Sequence, residues 1–504
     1  MNLFKLTPLF TLLALVSAQS QESIKAKVVN STTQQTIPFA TISISNSSGV
    51  ISNDHGDFQL YLPKNISDKD SIVIQCLGYE TKRLATLKFK DSIIFLNPKS
   101  IELEEILISN KNYTVEEIIE KANQNLNVNY DDDFIKSTLF YRASYFTNII
   151  KNDVTIKKTS IPELNQQFVD SILNDMPKNA DDYTEILANL YGKPGVLESQ
   201  KLDIIKASHL YDKSKEITFE DYEERFNNIL KKHIKRDSYF KIKSGIFGTK
   251  QDMDSTLFET DEQKETNALL EEKKKEEQER KKNFLKYRKQ SISRIQRNSF
   301  VFEDSYLNFL EKSNRYIFKI EDYTFLNDNF VYKISFTPKR KEDYKGMLYI
   351  NTDDFAIVRV DYENVQPLRD FKLLGIFYKA YLKKGTLIYA KNNSNKYALK
   401  YSEIENGNKF GIKRPLKIIE KNKNTRGRRK QNELSSDIHF IVSSTDKREL
   451  VVFENESISE TTFTNFEEKP KVEPIYLPAY DPEFWKGYNV IEPNQAIKTF
   501  KSME

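Results

Sequence analysis

"SNDHGDFQLYLP", residues Ser52 to Pro63, gathers Asn53, Asp54, His55 and Asp57 around Gly56 and then alternates apolar with polar residues. Two acids and a histidine so close together raise the question of a metal site. The neighbouring residue types answer against it. No second His or Cys lies nearby to complete a zinc shell. The stretch is also too short for a calcium loop, which places oxygen ligands at regular alternate positions. Gly56 reaches φ > 0 without strain, and Asn53 and Asp54 favour turns through side-chain to backbone hydrogen bonds. Phe58, Leu60 and Leu62 then share one face of an extended chain. The reading is a turn feeding a half-buried strand.

Similar short strands lie on both sides of this turn. They are expected at Ile24–Val29, Ala40–Ser45, Val50–Ser52, Phe58–Leu62, Ser71–Cys76, Tyr79–Ala85 and Lys90–Leu96. Seven strands in fewer than 80 residues, with turn residues between them, predict a small antiparallel β-sandwich. Cys76 is the single cysteine, so no internal disulfide exists, and its apolar run predicts a buried, inert thiol.

The stretch "IKAKVVNSTTQQTIPFATISISNSSGVISNDHGDFQLYLP…DSIVIQCLGYET" resembles the carboxypeptidase-regulatory-like domain of Bacteroidetes envelope proteins. The elements that carry the likeness are the first strand, Ile37-Pro38-Phe39-Ala40-Thr41, the turn Asn53…Gly56-x-Phe58, and Leu77-Gly78-Tyr79-Glu80-Thr81. Asn53 stands where the family usually has Asp, which leaves the turn chemistry intact. The resemblance implies a transthyretin-like fold and an accessory module, found also at the front of TonB-dependent receptors, without peptidase chemistry. Ile101–Ile108 resembles the strand that follows this module in such receptors and is read as a linker.

Thr114 and Glu117 form a capping box ahead of a helix whose apolar face is Val115, Ile118, Ile119, Ala122 and Leu126. Asp131-Asp132-Asp133 reads as a solvated turn. Phe140-Tyr141-Arg142 lies in an alternating strand. A second helix is expected near Glu220–Ile234, with His233 as packing rather than ligand. Residues 261–290, "DEQKETNALLEEKKKEEQERKKNFLKYRKQ", lack an apolar face over most of their length and read as a solvated helix or a mobile insertion.

From Ser299 alternation returns, and seven segments up to residue 450 predict an extended antiparallel meander, an open curved sheet or half-barrel. It is similar, as a fold only, to periplasmic half-barrels that carry lipids or lipoproteins. The fold class expected is therefore β-rich α+β, a transthyretin-like sandwich followed by an α+β region with a large meander. The segments are 1–18, a signal peptide; 19–98, the sandwich; 99–130, linker strand and capped helix; 131–298, mixed α/β; 299–450, the meander; and 451–504, a tail. The tail holds the only tryptophan, Trp485, beside Phe484 and Tyr488. It is expected to dock on the body of the protein or to recognise a partner.

The 504 residues are 38% hydrophobic and 30% charged, with a mean hydropathy of −0.61. That balance suits a well-solvated surface. Lys5, the mostly apolar run Leu9–Val16 and the small residues Val16-Ser17-Ala18 read as a signal peptide cleaved after Ala18. The run is too short to span a bilayer. The net charge of +4 argues against bulk nucleic-acid binding. Four histidines stand apart, and neither His-x-x-Glu nor His-Glu-x-x-His occurs. No Gly-x-Ser-x-Gly elbow or phosphate loop is present. No catalytic residue, metal ligand or cofactor is expected.

The function expected is that of an exported, non-catalytic envelope protein, an interaction or scaffold module at the periplasm or outer membrane. The second reading is a carrier that holds a lipid or other apolar ligand in its curved sheet; the third is a hydrolase of unrecognised type. Asn53, Gly56, Phe58, Gly78 and Tyr79 are assigned to structural turns. Trp485, Tyr488, Arg428 and Arg429 are the candidate contacts for an envelope partner, with the basic loop also suited to anionic lipid.

Overall fold

The computed structural model describes residues 22–44, 49–63, 66–67, 69–86, 89, 92–99, 113–235, 237–245, 247–252, 266–326, 329–424, 426–427 and 429–503, without the side chains of 215–220 and 266–273. The signal-peptide reading, the linker strand 101–108 and Arg428 lie outside the described residues. The chain is strand-rich, 51% strand against 19% helix.

The N-terminal domain comprises β1 (Ser23–Asn30), β2 (Thr41–Ile44), β3 (Gly49–Ile51), β4 (Asp57–Tyr61), β5 (Ser71–Gln75), β6 (Lys82–Ala85) and β7 (Ile93–Leu96). They form one sheet in the order β4-β1-β7 and another in the order β3-β2-β5-β6. Not every pairing is antiparallel: β1 and β7 run parallel, Lys27 opposite Ile93. Phe58 and Leu60 from the first sheet and Ile42, Ile72 and Ile74 from the second are fully buried in one shared core. Alternation in β4 makes this possible, because a two-residue period sends every second side chain to the same face.

The rest of the chain is organised by one large open sheet. Its strands are β8 (Ile135–Thr159), β9 (Asn179–Gly192), β10 (Gln200–Tyr211), β11 (Ser238–Ser244), β12 (Phe247–Asp252), β13 (Tyr316–Leu326), β14 (Asn329–Pro338), β15 (Tyr344–Asn351), β16 (Ile357–Asn364), β17 (Arg369–Leu373), β18 (Ile376–Lys391), β19 (Tyr397–Asn422), β20 (Lys430–Ser457) and β21 (Ile475–Leu477). The order is β13-β14-β15-β16-β18-β19-β20-β8-β9-β10-β21, with β17 on β18 and the β11–β12 hairpin on β19. The sheet therefore reaches beyond residues 299–450. It takes in β8, β9 and β10 from the segment read as mixed α/β, and β20 runs on to Ser457.

One expectation from turn chemistry is corrected here. Two of the seven segments, 396–406 and 411–422, are expected as separate strands with Gly407–Phe410 between them, yet β19 runs straight through. The physical reason is aromatic cover. A Cβ on Gly407 would sit 2.6 Å from the Tyr381 ring, and one on Gly411 would sit 2.1 Å from the Phe377 ring. Gly346 and Gly385 lie in the same way under Phe336 and Tyr362, their direct cross-strand partners. These glycines are sites where a neighbouring ring crosses the backbone, not turns.

Four helices position the layers: α1 (Val115–Gln124), α2 (Gln166–Asp175), α3 (Ser214–His233) and α4 (Thr266–Arg297). The capping box of α1 is present, with Thr114 N donating to Glu117 Oε2 at 2.7 Å, and Ile118, Ile119 and Ala122 are buried. α4 begins inside the charged segment and ends seven residues past it. Leu285, Ile292 and Ile295 pack on Leu139, Tyr141, Ile186 and Leu202 of the sheet. The second half of α4 is thus docked, because its apolar residues cluster where the charge run thins out. Among the described residues no helix is long and apolar enough to cross a membrane.

Candidate functional site

Strand parity decides what meets at the junction of the N-terminal domain and the large sheet. On β8, Leu139, Tyr141 and Ala143 face α4, so Phe140 and Arg142 face the other way. On that second face Phe140, Leu187, Tyr401, Val451 and Phe453 join the core of the N-terminal domain, together with Trp485 and Ile491 of the tail. The sheet is covered on both sides by parts of its own chain.

Arg142 is the largest fully buried side chain of the described residues, with 2% of its surface exposed. Its Nε donates to Glu185 Oε1 at 2.7 Å, its Nη2 donates to the Ile491 carbonyl at 2.8 Å, and its Nη1 stands 3.5 Å from Glu449. Burial alone pulls the guanidinium down; Glu185 and Glu449 outweigh it and hold it above its ordinary value. Trp485 Nε1 donates to Glu185 Oε2 at 2.7 Å, and Ser208 Oγ donates to the same oxygen at 3.3 Å. Next along the sheet, Lys447 lies 3.1 Å from Glu403, 4.0 Å from Glu449 and 3.4 Å from Asp54. Burial raises the Glu403 carboxyl, an effect that Lys447 only partly offsets. Asp54 is also desolvated, but hydrogen bonding to His55 and the nearby Lys447 bring it below its usual value.

The opening turn is therefore a docking element as well as a turn. Asn53 is 2% exposed; its Oδ1 accepts from His55 N and Asp57 N at 2.9 Å each, and its Nδ2 donates to the Glu492 carbonyl at 3.2 Å. Gly56 has φ +77°, and a Cβ there would meet Val28 O at 2.6 Å. Phe58 is fully buried. Gly78, at φ +84°, donates its N–H to the Phe325 carbonyl of β13, a second clasp between the N-terminal domain and the sheet. The Tyr79 hydroxyl accepts from Asn30 Nδ2 at 3.1 Å.

The partner-contact residues divide. Trp485 is 7% exposed and stacks edge-on against Phe140 with centroids 5.4 Å apart, so in this conformation it serves the fold and presents no surface to a partner. Tyr488 is 38% exposed, with Lys206 5.3 Å from its ring centroid. Arg429 is exposed in the β19–β20 turn, where its carbonyl accepts from Asn422 N.

Arg142, Glu185, Glu403, Lys447 and Glu449 were not legible as a group. The available signal was charge at inward parity, as in Phe140-x-Arg142, a pattern that requires a buried partner. Among the described residues no group of three or more His, Cys, Asp or Glu is arranged to hold a metal ion. Two cations within four carboxylates are crosslinked by hydrogen bonds and ion pairs that join the N-terminal domain, the sheet and the tail.

Residues 24–108 match the family model of the CarboxypepD_reg-like domain, so the N-terminal segment carries a domain of that kind. Comparison with curated proteins finds no match.

Proposed function

We propose that this protein is an exported, non-catalytic envelope protein that acts as an interaction or scaffold module at the periplasm or the outer membrane. In this reading the N-terminal domain is a transthyretin-like sandwich, and the large sheet is a meander stiffened from both sides. The observation that carries it is a cluster of exposed apolar side chains at one end of that sheet. The β11–β12 and β17–β18 hairpins both turn against Arg414: Cβ atoms on Gly245 and Gly375 would each lie 3.1 Å from its side chain, and its guanidinium is 5.0 Å from the Phe247 ring. Around this point Phe247, Phe371, Leu373 and Leu374 are about half exposed, at 53%, 50%, 54% and 49%. Concentrated apolar exposure on a folded chain marks an interaction site. Arg369, Lys372, Lys413, Lys241 and Lys243 are exposed beside it, and Arg429 lies further along the same end. The partner that fits is a protein surface with an apolar centre and an acidic rim.

The test is native mass spectrometry of the mature protein, purified gently from the envelope of its own source. A stoichiometric protein partner that is lost from a Phe371→Ser, Leu373→Ser variant supports the scaffold. An added mass removed by delipidation, with no protein partner, replaces it by the carrier. A partner retained by the variant moves the interface elsewhere.

A further inference from the structure

A cleft of about 300 Å³ opens between the N-terminal domain and the large sheet. Its volume is at the lower end of small-molecule sites, which favour domain junctions. One wall is Phe39, Gln75, Cys76 and Leu77; the other includes Val358, Ile388, Tyr389 and Tyr397. Among the described residues the lining also carries three cations, Arg359, Lys391 and Lys400, and no Asp or Glu.

Two of those cations are paired. Arg359 Nε donates to both oxygens of Asp361, at 2.9 and 3.1 Å, and Lys391 lies 3.1 Å from Asp354. Lys400 differs. Its amine donates to the backbone carbonyl of Phe453 at 3.0 Å, and no carboxylate lies within ion-pair distance of it among the described residues. Glu454 acts on this ammonium only from beyond ion-pair distance, so burying it stays costly, and an anion in the adjoining cleft would relieve that cost. A second feature is backbone strain at the cleft wall. Phe39 has φ +60°, a left-handed conformation that a bulky non-glycine residue rarely adopts. The conformation lays the Phe39 ring 4.8 Å from the Tyr401 ring and 5.8 Å from the Arg359 guanidinium.

We propose that this cleft binds a small organic anion, its acidic head on Lys400 and its apolar body against Phe39, Ile388 and Tyr389. The volume equals roughly ten waters at their liquid share, so the body is short. A charge-assisted hydrogen bond of about 1.5–3 kcal/mol corresponds to about ten- to a hundred-fold in affinity.

The experiment is calorimetric titration of the full mature chain with decanoate, with decanol as the neutral control and inorganic phosphate as the head alone. Decanoate is expected to bind, decanol and phosphate at least tenfold more weakly. Lys400→Met should weaken decanoate at least tenfold, and Lys400→Arg should restore most of that loss. A readout that needs no variant uses Cys76, the sole thiol and a lining residue that is partly exposed rather than fully buried: burial pushes the thiol up to about 11, so its labelling by N-ethylmaleimide is slow, and decanoate should slow it further. The proposal is overturned if decanoate gives no heat and no protection, if decanol binds as tightly, or if folded Lys400→Met binds like the wild type.

Discussion

Removing the Trp485 side chain should loosen the tail. The indole is 7% exposed. A buried Trp removes roughly 200 Å² from water, which at about 25 cal/mol per Å² is near 5 kcal/mol. Alanine keeps a small part of that area, so the expected loss is about 4 kcal/mol, within the range for aromatic-to-alanine changes. Glu185 would lose one donor but keep Ser208 and Arg142, which limits the added cost to about 1 kcal/mol. Trp485→Phe keeps the edge-on contact with Phe140 and loses only the N–H donation, about 1–2 kcal/mol. Hydrogen exchange by mass spectrometry over residues 478–503 reads the opening directly. The two costs of Trp485→Ala together make about 5 kcal/mol; at about 1.36 kcal/mol per decade, Trp485→Ala should speed exchange there by nearly four decades, and Trp485→Phe by about one. Exchange in Trp485→Ala within threefold of the wild type would refute the reasoning, because the tail would then be held by something other than its indole.

Lys400 supplies a pH test. Burial holds its ammonium down to about 8, with Glu454 opposing the shift and Arg359 and Lys391 lining the same cleft. A folded value below the unfolded 10.5 means that the unfolded chain binds the proton more tightly. Stability from this group should therefore rise between about pH 8 and 10.5, by at most about 3 kcal/mol. Lys383 is also held down to about 8, so only the difference between wild type and Lys400→Met isolates the effect; urea unfolding curves for both at pH 7 and pH 10 should converge as pH rises. Lys447→Met, which leaves Glu403, Glu449 and Asp54 without their shared cation, should cost about 3–5 kcal/mol, against less than about 1 kcal/mol for Asp54→Asn. Gly411→Ala should destabilise through the Phe377 ring, and Phe377→Ala should recover part of that loss in a double-mutant cycle. Under the proposed export, peptide mass spectrometry of the protein from its own source should find an N-terminus at Gln19.

Local signals carried far in the N-terminal domain. Seven strands and the Asn53–Phe58 turn were legible because turn chemistry and two-residue alternation both act within a few residues. The capping box of α1 was legible for the same reason. The network around Arg142 was not, since Arg142, Glu185, Glu449 and Trp485 are separated by up to 343 residues and meet only through strand register. Nor could sequence separate a glycine turn from a glycine under a ring, because the covering ring at Gly407 or Gly411 belongs to another strand.

Sequence by itself determined the strand-rich character, the N-terminal domain and its turn, and the scarcity of metal-ligating or nucleophilic motifs. Those follow from side-chain periodicity and local backbone preference. Tertiary structure alone decided that β8, β9 and β10 join the later strands in one sheet, and that Trp485 turns inward. It also placed Phe39 and Lys400 in the lining of one cation-bearing cleft. Each of these depends on which distant backbones share hydrogen bonds, and register is set by the burial of whole faces rather than by any short stretch.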